Sequence, residues 1–431
     1  MKKILAIVLA AMMMFAMVAC QNNEEPAPAP EASTAPEAST APEASTAPEA
    51  STAPEASEAP EAKEQVTLKV WGSQEDQEML GEMIEAFKAA HPEKEYTIEL
   101  GVVGEPDAKT RYLEDPAAAA DVFAFANDQI RDLVAAGALY EVTRNKDAIV
   151  AANVGGSIES ATLDNKLWAY PMTADNGYFL YYDKSVLTEE DVQTLDGLLA
   201  AANAAGKKVF MDVSNGWYIA SFFLAKGSLA LDADGKQTCN FNDENGLLAA
   251  EAIKAFTADP AFMTGDDAVL TGGFGSTICA GVSGAWNSAA LTELLGENLG
   301  ACKLPTFTMN GEQVQMSSFG GYKLIGVNSL TAYPTDAMDL AEWLTNEENQ
   351  VKRFEMRAMG PSNINAAASE AVQSNPALAA LASQSAHAVS QKDVLGNYWS
   401  PAEAFGTAME SKDYSSSLQE QLDAMVAQII A

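Results

Sequence analysis

The apolar residues between Val66 and Gly137 switch repeatedly between two periods, and that constrains the fold more than any other feature of the chain. Val66, Leu68 and Val70 alternate with Thr67 and Lys69, as a strand with one buried face requires. Trp71-Gly72 ends this run, and Met79, Met83, Ile84 and Phe87 then recur at helical spacing up to a stop at His91-Pro92. Tyr96, Ile98 and Leu100 alternate as a second strand. Asp121 to Phe125 is a short apolar run that predicts a buried strand, followed by a helix from Asp128 to near Gly137. The pattern continues with strands over Phe179–Tyr182, Lys208–Val213, Ser276–Trp286 and Gly300–Leu304, and with helices over Asp191–Ala205 and Trp217–Ala225. From Asp336 onward the spacing is mainly helical. Strands alternating with helices over short connections predict α/β layers.

The N-terminal stretch predicts a compartment. Lys2 and Lys3 precede an uncharged apolar run from Ile4 to Ala19, which is short for a membrane span and reads as a signal peptide over residues 1–19. It ends in Met17-Val18-Ala19-Cys20, small residues before a lone cysteine, which looks like a lipobox with Cys20 as the lipidated residue. Two acyl chains on one residue would anchor it stably. Residues 20–64 then form a linker in which Pro-Glu-Ala-Ser-Thr-Ala repeats at a period of six. That composition cannot bury enough apolar surface to order itself, so the linker is expected to be a disordered spacer. In an extended polyproline-like regime it would reach roughly 140 Å. The expected location is therefore extracytoplasmic, lipid-anchored to the cell membrane.

Charge and composition exclude several classes. The net charge of −35 leaves no basic patch for phosphates, so no nucleic-acid partner is expected. Beyond Cys20 the three cysteines, Cys239, Cys279 and Cys302, are an odd count and no disulfide framework, although Cys279 and Cys302 could pair. With two histidines and no Cys-x-x-Cys, no metal site and no cofactor are expected.

Five segments carry a resemblance. They are Leu68-Lys69-Val70-Trp71-Gly72-Ser73-Gln74-Glu75-Asp76, Asp121 through Asp128, Asn165-Lys166-Leu167-Trp168-Ala169-Tyr170-Pro171 with Leu180-Tyr181-Tyr182-Asp183-Lys184, Ser283-Gly284-Ala285-Trp286, and Leu304-Pro305-Thr306-Phe307. In that order they resemble the maltose/maltodextrin-binding branch of the extracellular solute-binding proteins of ABC importers. The resemblance implies a two-lobed periplasmic-binding-protein-like fold of class α/β. Its ligand cleft would lie between lobes joined by crossing strands, and hinge motion would close it. By the same similarity, residues 65–431 form the solute-binding domain. One lobe takes about 66–173 and 306–360, the other about 174–305 and 361–431. The implied partners are an oligosaccharide and the permease subunits of the importer, with the chain acting as a monomer.

A sugar presents a rim of hydroxyls and apolar ring faces, so its site mixes carboxylates and amides with aromatic rings. At the positions matching the family, Glu75, Asp128 and Asp175 are candidate hydroxyl acceptors and Asn215 a polar contact. Phe125, Trp217, Tyr218, Trp286 and Trp399 are candidate stacking platforms. Each has a plainer alternative: Asp128 as a helix N-cap, Glu75 and Asp76 as solvated first-turn charges, Phe125 as core, Tyr218 as helix packing. The chain departs from the family pattern with Phe at 125 in place of Trp and Asp at 76 in place of a cation. The rival readings are a different solute on the same fold and a secreted glycosidase. The second would need two carboxylates about 5–10 Å apart, for which Asp128 and Asp175 could serve, but no motif supports it. Gly272-Gly273-Phe274-Gly275 is too weak for a phosphate loop. A non-enzymatic binding role is expected.

Overall fold

The computed structural model describes residues 63–431; the signal peptide, Cys20 and the repeats lie outside the described residues. The first sheet begins with β1 (Glu64–Gly72), whose Val66, Leu68 and Val70 point into the core while Thr67 and Lys69 do not. Helix α1 (Gln77–Ala90) follows, with Met79, Met83, Ile84 and Phe87 buried, and ends where the His91 ring meets the Phe87 carbonyl at 2.8 Å. Strands β2 (Lys94–Val102) and β3 (Val122–Ala126) flank β1 on either side, both parallel to it.

Strand β4 (Tyr170–Gly177) is followed after one residue, Tyr178, by β5 (Phe179–Asp183), which lies at the heart of a second sheet. The chain thus passes from one sheet to the other almost without a turn. In β5, Leu180 and Tyr182 enter one core while Phe179 and Tyr181 enter another, so all of it is buried and its sequence is a continuous apolar run. The second sheet orders β7 (Phe262–Met263), β6 (Lys208–Phe210), β8 (Ile278–Ser283), β5 and β9 (Leu299–Cys302). A return crossing leads from β9 to β10 (Ser318–Val327), which is antiparallel to β3 and β4 in the first sheet. Strand β11 (Ala388–Ser390) pairs with the start of β10. The fold is the α/β arrangement of two lobes that the patterning and the resemblance imply.

Three details differ from expectation. The hairpin of Thr306–Met309 and Glu312–Gln315, expected in the first lobe, buries Phe307, Met309 and Val314 in the core of the second. The strand expected over Lys208–Val213 stops at Phe210, because the chain turns there to start the next helix. The helix expected from Asp191 starts only at Leu195, where Thr194 accepts from the Gly197 amide. The open question about Cys279 and Cys302 is resolved: all three described thiols are free. Cys279 on β8 and Cys302 on β9 have β5 between them, so two strand spacings of about 4.8 Å separate them, beyond disulfide reach. No helix among the described residues is long and apolar enough to cross a membrane.

Candidate ligand-binding cleft

Elements of both sheets deliver side chains to one region. Past the end of β1, a short 3-10 turn (Gln74–Asp76) presents Glu75 to solvent and buries Asp76. Past β3, a second turn (Asn127–Gln129) presents Asp128. Its side chain caps neither that turn nor the helix after it. Instead Oδ1 accepts from Gln391 Nε2 at 2.9 Å. Burial pushes the Asp128 carboxyl up to about 7, against the pull of Lys109 and the Gln391 bond, with Asp132 adding to the rise.

From the second lobe come the rings. Asn215 opens helix α2 (Gly216–Phe223) by accepting from the Trp217 amide at 2.9 Å, so its carbonyl is a helix cap. Trp217 stays partly exposed, and its ring lies 5.8 Å from that of Trp286 at 39°. Trp286 sits just after β8 and donates from Nε1 to Asp267 Oδ2 at 3.0 Å. Desolvation raises the Asp267 carboxyl, and the charges of Glu75 and Asp266 push the same way. Glu75 of the first lobe thus lies within electrostatic reach of Asp267, which holds the Trp286 indole. Trp399, half-buried at the start of α3 (Trp399–Glu410), packs edge-on to Phe319 and Tyr398. Its backbone carbonyl lies beside Gly216, next to Trp217.

Asp128, Trp217, Trp286 and Trp399 are therefore brought together, while Glu75 is exposed past β1 with only its charge reaching Asp267. Three expectations need correction. Phe125 is fully buried, in tilted contact with Phe123 and against Gly326, because β3 is central and both its faces are covered. Tyr218 is buried edge-on against Tyr178 and Trp217, so it backs the platform instead of forming it. Asp175 is buried: Oδ2 accepts from the Gly360 amide at 2.6 Å, and Oδ1 has no hydrogen-bond partner among the described residues. Burial raises its carboxyl, with Lys323 opposing.

Three residues were invisible to sequence reasoning. Asp267 holds the Trp286 indole. Lys323 on β10, buried beside Glu105 at 3.4 Å, places Nζ 5.5 Å over the Trp286 ring. Gln391 accepts from Trp217 Nε1 and Asn176 Nδ2 while donating to Asp128. None sits at a spacing that marks it.

Comparison with known proteins fits this architecture. Residues 82–380 match the family described as bacterial extracellular solute-binding protein. The galactooligosaccharide-binding protein of Bacillus subtilis (strain 168) is 27% identical over 78% of this chain and 83% of its own. A structure solved with acarbose is 30% identical, covers 85% of this chain and 99% of that one, and superposes with a TM-score of 0.77. The maltodextrin-binding protein of L. casei BL23 is 26% identical over 85% and 99%, with a TM-score of 0.70. With most of the chain inside the matched range, the chain belongs to the bacterial extracellular solute-binding protein family.

Proposed function

We propose that this chain captures a neutral oligosaccharide of maltodextrin type in the interlobe cleft, without chemical turnover, and hands it to the permease of an ABC importer. The observation that carries the reading is the Trp217–Trp286 ring pair with the Asp128 carboxylate joined to it through Gln391, and Glu75 exposed past the end of β1. Rings stack on the apolar sugar faces and carboxylates accept from the hydroxyl rim, which is the chemistry such a ligand needs. The maltodextrin-binding relative supports the choice of ligand. The Bacillus subtilis relative favours a second reading, a galactooligosaccharide in the same cleft.

Calorimetric titration with maltotriose and with a galactotriose decides between them. Maltotriose should saturate one site and bind at least about tenfold more tightly. The reverse order would select the second reading, and heat from neither would overturn both. Because Asp128 accepts hydroxyls best when ionised, affinity should rise with pH through about 7 and weaken below it. The sugar-free protein should behave oppositely. A carboxyl raised by burial keeps its proton in the folded state, so its contribution to stability falls between the ordinary carboxylate range and about 7.

The reading includes an anchor at Cys20, carried by the small residues before it and the spacer after it. The full-length chain should partition into detergent, and Cys20→Ser should release it or leave the leader uncleaved. Normal processing with unchanged membrane retention in that variant would remove the anchor from the proposal.

A further inference from the structure

We propose that Gln391 is the positioning residue of the cleft, one side-chain amide that sets Asp128 of the first lobe and Trp217 of the second relative to each other. The inference rests on the cleft reading above and deepens it. Gln391 is 2% exposed, so it reaches no ligand itself. Its orientation is forced. The Trp217 indole N–H only donates, and it lies 3.0 Å from Oε1. The Asp128 carboxylate only accepts, and it lies 2.9 Å from Nε2. Asn176 Nδ2, on the crossing strand β4, completes the carbonyl's second lone pair at 3.1 Å.

The surrounding chain is built to hold that amide. Arg131 of the first lobe pairs with Asp393 at 2.7 Å, and Lys392 donates to the carbonyls of Thr162, at 3.1 Å, and Glu159. The residues that follow Gln391 are thus fastened to the first lobe. Gly321 on β10 leaves the passage: a Cβ there would come within 2.7 Å of Gln391 Cδ. Since Gln391 takes one lone pair of Asp128 Oδ1 and the Trp217 N–H, the ligand is left with the remaining acceptor sites of the Asp128 carboxylate and the Trp217 ring. That selects a ligand offering a hydroxyl donor beside an apolar ring face.

Two variants and one ligand-free readout test this in the full-length chain. Gln391→Leu should weaken maltotriose binding by about tenfold or more, the loss expected when a bond to a charged group is removed. Gln391→Glu keeps both acceptor bonds but sets two carboxyls in contact, and such a pair shares a single proton. Its deficit relative to wild type should therefore widen between about pH 6 and pH 8, which a merely structural role would not produce. Lys109 and Asp132, the other charges acting on Asp128, are unchanged in both variants. In the sugar-free protein the Trp217 indole resonance, assigned with Trp217→Phe, should titrate near 7 in wild type and lose that step in Gln391→Leu. Gln391→Leu binding within about twofold of wild type, or an indole that titrates identically, would overturn the proposal. If Gln391→Leu fails to fold, the pH trend of Gln391→Glu decides. Should wild type bind no maltotriose, the sugar reading falls, and the indole titration alone still decides the role of Gln391.

Discussion

Replacing Trp286 with alanine should weaken maltotriose binding by about 30-fold or more, the scale of an aromatic hot spot of roughly 2 kcal/mol. The ring is half-buried, packed against the second core and the Trp217 ring, with its indole nitrogen held by Asp267. Truncation should therefore cost clearly less stability than the 3–5 kcal/mol typical of about full burial. The platform also explains a glycine. A Cβ at Gly284 would stand 2.0 Å from the Trp286 ring, although the φ of −112° suits any residue. Gly284→Ala should thus displace the ring without straining the backbone, and lower affinity in the same direction as Trp286→Ala. Sugar titration paired with thermal unfolding checks both. If Trp286→Ala melts far below wild type yet binds as well, Trp286 is core and the cleft assignment is wrong.

The scaffold was legible where one face of an element is buried and the other is wet. Val66, Leu68 and Val70 could be read as a strand because Thr67 and Lys69 interrupt them, and α1 because its buried residues recur every turn. Legibility failed where both faces are covered. Phe125 at the end of an apolar strand looks the same whether it meets a cleft or a core, and only the sheet order makes β3 central. Strand β10 has no readable period because Gly320 and Gly321 break its pattern before the buried run Leu324–Val327. Gln391 could not be found at all. Its partners lie 174, 215 and 263 residues away, so no local spacing betrays a glutamine that the crossings bring to all three.

The largest effect on stability should come from Asp76→Ala, about 3–5 kcal/mol, because it strands a buried cation. Glu75 and Asp76 look alike in sequence, two acids in a first turn, yet only Glu75 is solvated. Asp76 is 3% exposed and accepts from both Arg353 Nη1 at 2.9 Å and Arg357 Nε at 3.0 Å. Both arginines come from the helix Glu347–Arg357, which this carboxylate ties to the turn after β1. Arg353 is the more demanding partner: it is 1% exposed, only its Nη1 reaches Asp76, and its Nε and Nη2 have no hydrogen-bond partner among the described residues. Without Asp76 its charge would have no direct counter-ion. Removing both charges should hurt much less than removing one, since apolar groups of similar volume avoid the desolvation cost altogether. Chemical denaturation of Asp76→Ala, Arg353→Met and Asp76→Leu/Arg353→Met measures this. The double variant should recover most of what either single loses, and a loss under about 1 kcal/mol for Asp76→Ala would mean that water solvates Arg353 after all. The same turn carries Glu75, so Asp76→Ala should also lower maltotriose affinity. A cation at position 76 would face Arg353 and Arg357 instead of pairing with them, which explains why this chain carries an acid there.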